Sequence, residues 1–290
     1  MTPDERFQAA VSAIDAGDVG GLEKLLAASP GLACERLVTP GTWLRDKIGA
    51  AADSVFAKPY LLWFVAEDPV RNGKLPANIA DIARTILDAA KHTCAAGLSE
   101  QLDYALRLVA FSWIARDSGV QLALIDVLLD AGASPVQAPE SALVNANVAA
   151  AEHLVARGAP LTLATAICLA RWADVDRLAE SALPREKQFA LTLAALRGRD
   201  AGLRRLIEMG VNIDAVSPDL YAHATPLHHA VSSGSLAAVK VLVEAGARLD
   251  VRDTAYNGTP LGWAEYSGAK APYAEIAAYL RERERRSGAV

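Results

Sequence analysis

Residues 225–230 read TPLHHA, and 34 residues further on, residues 259–264 read TPLGWA. The hexapeptide is a helix start. Proline in the first turn gives up an N–H that would have no helical partner there. The threonine before it can cap the turn. The leucine enters a core, and the alanine lets a neighbouring helix approach. A second signature recurs more widely. IDVLLDAGA (125–133), AEHLVARGA (151–159), LRRLIEMGV (203–211) and VKVLVEAGA (239–247) each describe a short amphipathic helix closed by a glycine. Gly132, Gly158, Gly210 and Gly246 stand where a helix ends in the left-handed conformation. Apolar residues recur at i, i+3, i+6 and i+7, as in Leu122, Ile125, Leu128 and Leu129, or Leu236, Val239, Leu242 and Val243. That spacing predicts one buried stripe per helix. Val19, Leu22, Leu25 and Leu26 repeat it early in the chain, and Tyr273, Ile276, Tyr279 and Leu280 repeat it late.

Short helices in alternation, with a TPLH-type start, resemble the ankyrin repeat. Thr225, Pro226, Leu227, His228 and Ala230 match that motif closely. The next copy keeps Thr259, Pro260, Leu261 and Ala264 but carries Gly262 in the histidine position. The resemblance implies an all-α, ankyrin-type solenoid of about eight helix pairs, a helix-turn-helix stack with short β-hairpin fingers mainly at the C-terminal end. The pairs fall near 5–29, 59–92, 101–132, 141–158, 163–182, 188–210, 225–246 and 259–284. In the second pair, PYLLWFVAED reads as a diverged first helix. The organisation expected is one solenoid over 1–290. It comprises an N-terminal unit (1–31), an insertion (32–58), divergent units (59–134), shortened units without fingers (135–212), two well-matched repeats (213–284) and a tail (285–290). Gly132 to Gly158 is 26 residues and Gly158 to Gly210 is 52, so the middle units fall short of the roughly 33 residues of an ankyrin unit. The missing residues are assigned to the fingers. The stretches before Thr225 (DAVSPDLYAHAT) and Thr259 (DTAYNGT) are instead long. The insertion carries Trp43, Leu44, Ile48, Val55 and Phe56, too apolar for a loose linker, and is read as a short helix packed on the stack.

Composition narrows the class. Of 290 residues, 52% are hydrophobic but only 6% aromatic, and 59 are alanine, which favours helices that pack closely. No apolar run reaches the roughly 18–20 residues of a membrane span. The start, MTPDERFQAA, lacks the basic and apolar segments of a signal peptide. A net charge of -5 argues against a nucleic-acid binder. Cys34, Cys94 and Cys168 form no paired motif, so a disulfide framework and a zinc site are not expected and the thiols are read as reduced. The expectation is a cytoplasmic monomer with no cofactor and no metal. The Ala- and Arg-rich composition fits a GC-rich bacterium.

Chemistry-bearing residues each have a plain structural reading. By resemblance, His228 hydrogen-bonds loop backbone and the motif threonine, and His229 packs between repeats. His92 and Cys94 are two apart on a helix and face different sides, which does not suit a nucleophilic pair. Cys168 sits in an apolar helix. LRGRDAG (196–202) reads as a helix–turn–helix junction. No phosphate-loop, zinc-protease, nucleophile-elbow or calcium-loop pattern occurs. Arg71, Asn72 and Lys74 surround Gly73 ahead of a helix and form a possible anion loop, alongside the reading of a plain turn. Tyr221, His223, Arg252, Tyr256 and Tyr266 fall on the long fingers and beside the groove, and Tyr and Arg dominate interface energies. They are the candidate partner-binding residues, with local stiffening of the fingers as the other reading. The function implied is a non-enzymatic module binding an unidentified protein through the concave face and C-terminal fingers. Two alternatives stand beside it: a groove-based enzyme or small-ligand binder using 32–58 and 68–78, and a stabilising subunit of another enzyme.

Overall fold

The computed structural model describes residues 1–94, 97–268 and 270–287. The end of the 285–290 tail and the His92 side chain lie outside the described residues. Among the described residues every regular element is helical. The chain divides into two compact units, Met1–Pro160 and Leu161–Val290.

The first unit contains α1 (Pro3–Ala16), α2 (Val19–Ala28), α3 (Thr42–Ile48), α4 (Ile79–Thr93), α5 (Leu98–Phe111), α6 (Trp113–Asp117), α7 (Gln121–Asp130), α8 (Ala138–Val144) and α9 (Val148–Ala156). Two rows build it. α1, the segment Leu61–Ala66, α5 and α8 pack in sequence along one row, and α2, α4, α7 and α9 along the other. The second unit contains α10 (Leu163–Cys168), α11 (Trp172–Ser181), α12 (Pro184–Leu196), α13 (Asp200–Glu208), α14 (Pro226–Ser232), α15 (Leu236–Glu244), α16 (Pro260–Ser267) and α17 (Tyr273–Ser287). Here α10, α12, α14 and α16 form the first row, and α13, α15 and α17 the second. Within each unit the pairs stack as in a helical solenoid, each burying its stripe against its neighbours.

Local chemistry explains the ends. Thr2 caps α1 by accepting from Glu5 N, and the Glu5 carboxylate returns to Thr2 N at 2.7 Å. Thr259 caps α16 by accepting from Gly262 N at 3.1 Å. The four closing glycines all have positive φ, between 75° and 100°, so an L side chain there would be strained. The alanines lie where rows touch: Ala190, Ala194, Ala230 and Ala264 are completely buried. Packing is tight enough that a Cβ on Gly202 would meet Ile167 Cγ2 at 2.3 Å.

Four expectations are corrected. First, the stripe on α7 is not the one the spacing suggests. Leu122 is exposed, and Leu124, Ile125 and Leu128 are completely buried, because the helix faces both its own partner and the neighbouring pair. Second, the diverged first helix is a 3-10 segment, Leu61–Ala66, all of it buried. Six consecutive apolar residues leave no polar face, and α1 and α5 close on it from either side.

Third, Cys34 and Cys94, 60 positions apart in sequence, are joined in a disulfide with Cα atoms 5.6 Å apart. The pairing depends on the 3-10 turn Pro30–Ala33 packing against α4, which no sequence spacing announces. Cys168 is buried.

Fourth, the fingers are not β-hairpins: no strand occurs among the described residues. In 251–259 the turn amides go to a side chain in place of a partner strand. The Asp253 carboxylate accepts from Ala255, Tyr256 and Gly258 N–H, leaving two backbone bonds across the turn, Asp253 N to Gly258 O at 2.9 Å and Asn257 N to Asp253 O at 3.1 Å. In 213–225 the backbone bonds are local turns, Leu220 N to Ser217 O and Ala224 N to Tyr221 O, apart from one bond that His223 O accepts from Thr254 N of the other loop.

The insertion packs back on its unit. Leu44 and Phe56 are completely buried, Trp43 Nε1 donates to Asp4 at 2.8 Å, and Val55 is left exposed. No helix among the described residues is long and apolar enough to cross a membrane.

Candidate functional site

In the second unit the two long loops, 213–225 and 251–259, are tied together. Thr254 N donates to His223 O at 2.9 Å. His228 anchors the second loop from below. A carbonyl can only accept, so His228 Nε2 donates to Gly258 O (3.1 Å) and Nδ1 accepts from the Thr225 hydroxyl (2.8 Å). Burial pushes the His228 pKa down, which favours this neutral form. The first loop is held to α12 by a two-point Arg185–Asp219 ion pair and by Gln188 Nε2 to Ala215 O at 2.7 Å.

On this platform sits an aromatic cluster. The His223 ring lies 6.1–6.2 Å from those of Tyr221, His229, Tyr256 and Trp263. Tyr221 is 5.9 Å from His229, and His228 is 5.1 Å from Trp263. Such separations suit edge and offset contacts between rings. Trp263 Nε1 donates to Asp253 Oδ2 at 2.9 Å. Burial alone would raise the Asp253 carboxyl. The bonds from Trp263 and the turn amides outweigh it and hold the pKa at about 2. His229 is pushed down to about 4 by burial and by His223 and His228. Its Nε2 is buried without a hydrogen-bond partner.

Of the residues singled out by sequence, the structure gathers Tyr221, His223 and Tyr256. Tyr221 is 45% exposed and Tyr256 78%. Arg252 lies on the same loop but donates to its own turn, Nη1 to Asn257 O at 2.7 Å. Tyr266 is 94% exposed and makes no ring contact among the described residues. Sequence reasoning missed Trp263 and gave His229 only a packing role between repeats. A signal for Trp263 was available: it follows Gly262, the residue that replaces the motif histidine. Where His228 ties α14 to the next loop, Trp263 ties α16 to its own.

The possible anion loop takes a different form. The Arg71 side chain is fully buried, pairing with Asp15 (2.8 Å) and Glu67 (3.2 Å) and donating to Phe64 O. The amides of Arg71, Asn72 and Gly73 converge on Glu67 Oε1. The loop does cradle an anion, and that anion is the chain's own Glu67 carboxylate. Lys74 remains exposed. The 32–58 and 68–78 segments meet here, since Lys47 also reaches Asp15 at 2.9 Å. Burial raises the Asp15 carboxyl, but Arg71 and Lys47 reverse this and hold it low. Among the described residues no three His, Cys, Asp or Glu side chains are grouped to hold a metal ion.

Comparison with known proteins agrees with this architecture. The family model for ankyrin repeats (3 copies) matches residues 141–253 and 191–286, which together span half of the chain. No curated protein matches the sequence. Among solved structures, the crystal structure of the human ASB11 ankyrin repeat domain is similar at 20% identity. It covers 68% of this chain and 92% of that one, with a TM-score of 0.36. The chain belongs to the ankyrin-repeat family.

Proposed function

We propose that this protein is an interaction module whose partner-binding surface lies on the two long loops of the second unit and the adjacent first-row helices. The observation that carries the reading is the ring cluster itself. Tyr221 and Tyr256 present exposed aromatic surface over a base fixed by Trp263, His223 and Asp253. Rigid Tyr and Trp rings with a polar tip are the groups that contribute most per residue at interfaces. Arg252 and Tyr266 extend the surface at its edges. The family supports the same reading, since stacked repeats offer extended surfaces for protein ligands.

The test is a quantitative pull-down with the chain as bait, comparing wild type with Tyr221→Ala/Tyr256→Ala/Tyr266→Ala. Far-ultraviolet circular dichroism should be unchanged. Recovery of whichever protein the wild type retains should fall at least tenfold, since truncating interface hot spots costs about 2 kcal/mol each. Equal recovery by the triple variant would place the binding surface elsewhere.

A further inference from the structure

The aromatic face has a charged neighbour that pairs with no carboxylate among the described residues. Arg197 follows the last residue of α12 and Arg199 precedes the first of α13, on either side of Gly198. Both are half-buried, and the Nε of each is shielded from water with no acceptor. Neither forms an ion pair among the described residues. Arg177, Arg185, Arg205, Arg248 and Arg281 in the same unit all do. Burial, first of all, pushes the Arg197 pKa down, and Tyr221 and Arg199 lie near enough to act on its charge. Arg252, on the neighbouring loop, also has no acidic partner among the described residues and donates to a turn carbonyl.

A guanidinium does not give up its proton in a protein. Two of them placed together and partly desolvated carry a cost that an arriving anion relieves. Carboxylate fits, because the planar fork of arginine takes it with two parallel bonds. Tyr221 links this charge to the ring cluster, so the same ligand can meet both. A nucleic-acid backbone fits poorly. It needs a row of unpaired cations, and Asp214, Asp219 and Asp250 lie on or beside these loops.

Resting on the interaction reading above, we infer that the face takes an acidic peptide segment of a partner protein. One carboxylate is forked by Arg197, and a flanking apolar or aromatic side chain lies against Tyr221 and Tyr256.

The experiment titrates the full chain with three synthetic hexapeptides of the same apolar content, following heat or Trp fluorescence. One is blocked at both ends and contains two Glu. The second has Gln for each Glu. The third is the Gln peptide with a free terminal carboxylate. The wild type should bind the Glu peptide at least tenfold more tightly than the blocked Gln peptide. Arg197→Gln should remove that preference, and Arg197→Lys, which keeps the charge but not the fork, should leave only part of it. Both variants should keep the wild-type melting temperature within a few degrees, and the lysine variant serves if the glutamine one does not fold. Tight binding of the third peptide would identify a chain terminus as the carboxylate source and would support the inference equally. Equal binding of Glu and blocked Gln peptides, or a preference that survives Arg197→Gln, overturns it. If the preference is absent while Tyr256→Ala weakens both peptides, the interaction face stands and the acid requirement falls. If no peptide binds and Tyr256→Ala changes nothing, both fall.

Discussion

Asp253 is the residue whose removal should most clearly separate the loop platform from the helices beneath it. Its two oxygens accept from four donors: Ala255 N (2.9 Å) and Tyr256 N (2.6 Å) on Oδ1, Gly258 N (2.8 Å) and Trp263 Nε1 (2.9 Å) on Oδ2. The residue is 3% exposed, but its turn, 254–257, lies open to water. A fall in pKa from 3.8 to about 2 corresponds to about 2.4 kcal/mol at full strength. Solvent beside the turn reduces this to about 1–2 kcal/mol. Asp253→Asn, which removes the charge but keeps one acceptor, should therefore cost about 1–2 kcal/mol at pH 7. Asp253→Ala removes every acceptor and strands the indole N–H, and should cost about 2–4 kcal/mol. The sign of the pH dependence follows from a depressed carboxylate. Its stabilisation is complete above the unfolded value of 3.8 and is lost as pH falls toward about 2. Urea unfolding of wild type and Asp253→Asn at a series of pH values measures it. The gap between the two should be constant above about pH 5 and should narrow steadily below pH 4. Equal stability at pH 7, or a gap that does not narrow in acid, would refute the argument that this carboxylate organises the turn.

Three further outcomes follow from the same physical chemistry. His229, lowered to about 4, takes up its proton more readily in the unfolded chain. Stability should be complete above pH 6.5 and fall by about 3 kcal/mol between pH 6.5 and 4, and His229→Phe should abolish that limb of the pH–stability curve. Closing a loop of about 60 residues, the Cys34–Cys94 bond should contribute about 4 kcal/mol; urea unfolding of Cys34→Ser/Cys94→Ser, or of wild type in a phosphine reductant, should show a loss of that order, and no change would mean that the bond is absent. Glu67→Ala should cost about 3–5 kcal/mol by leaving the buried Arg71 with Asp15 as its one remaining carboxylate and the amides of Arg71, Asn72 and Gly73 without their acceptor. Thermal melting with and without the companion change Arg71→Met distinguishes a stranded charge from lost packing, because the double variant should recover part of the stability.

The sequence by itself determined the helix pairs, their closing glycines and the family, because each signal is local. A stripe at helical spacing, a proline in a first turn and a glycine past a helix end act over a few residues, and the polypeptide cannot ignore them. The tertiary structure decided what depends on distant partners. Leu61–Ala66 has the composition of a helix but takes a tighter 3-10 path between α1 and α5. Cys34 meets Cys94 only because the turn after α2 lies against α4. The fingers have turn-rich sequences that suit hairpins, yet one carboxylate, Asp253, satisfies the amides a partner strand would have used. Arg71 looks like a surface cation beside a glycine, and burial with Asp15 and Glu67 makes it internal. The candidate face shows the same division. Exposed tyrosines could be chosen from their places on the fingers. Trp263, His229 and Arg197 enter it only through packing, because what a side chain can bind depends on which partners the fold has already given it.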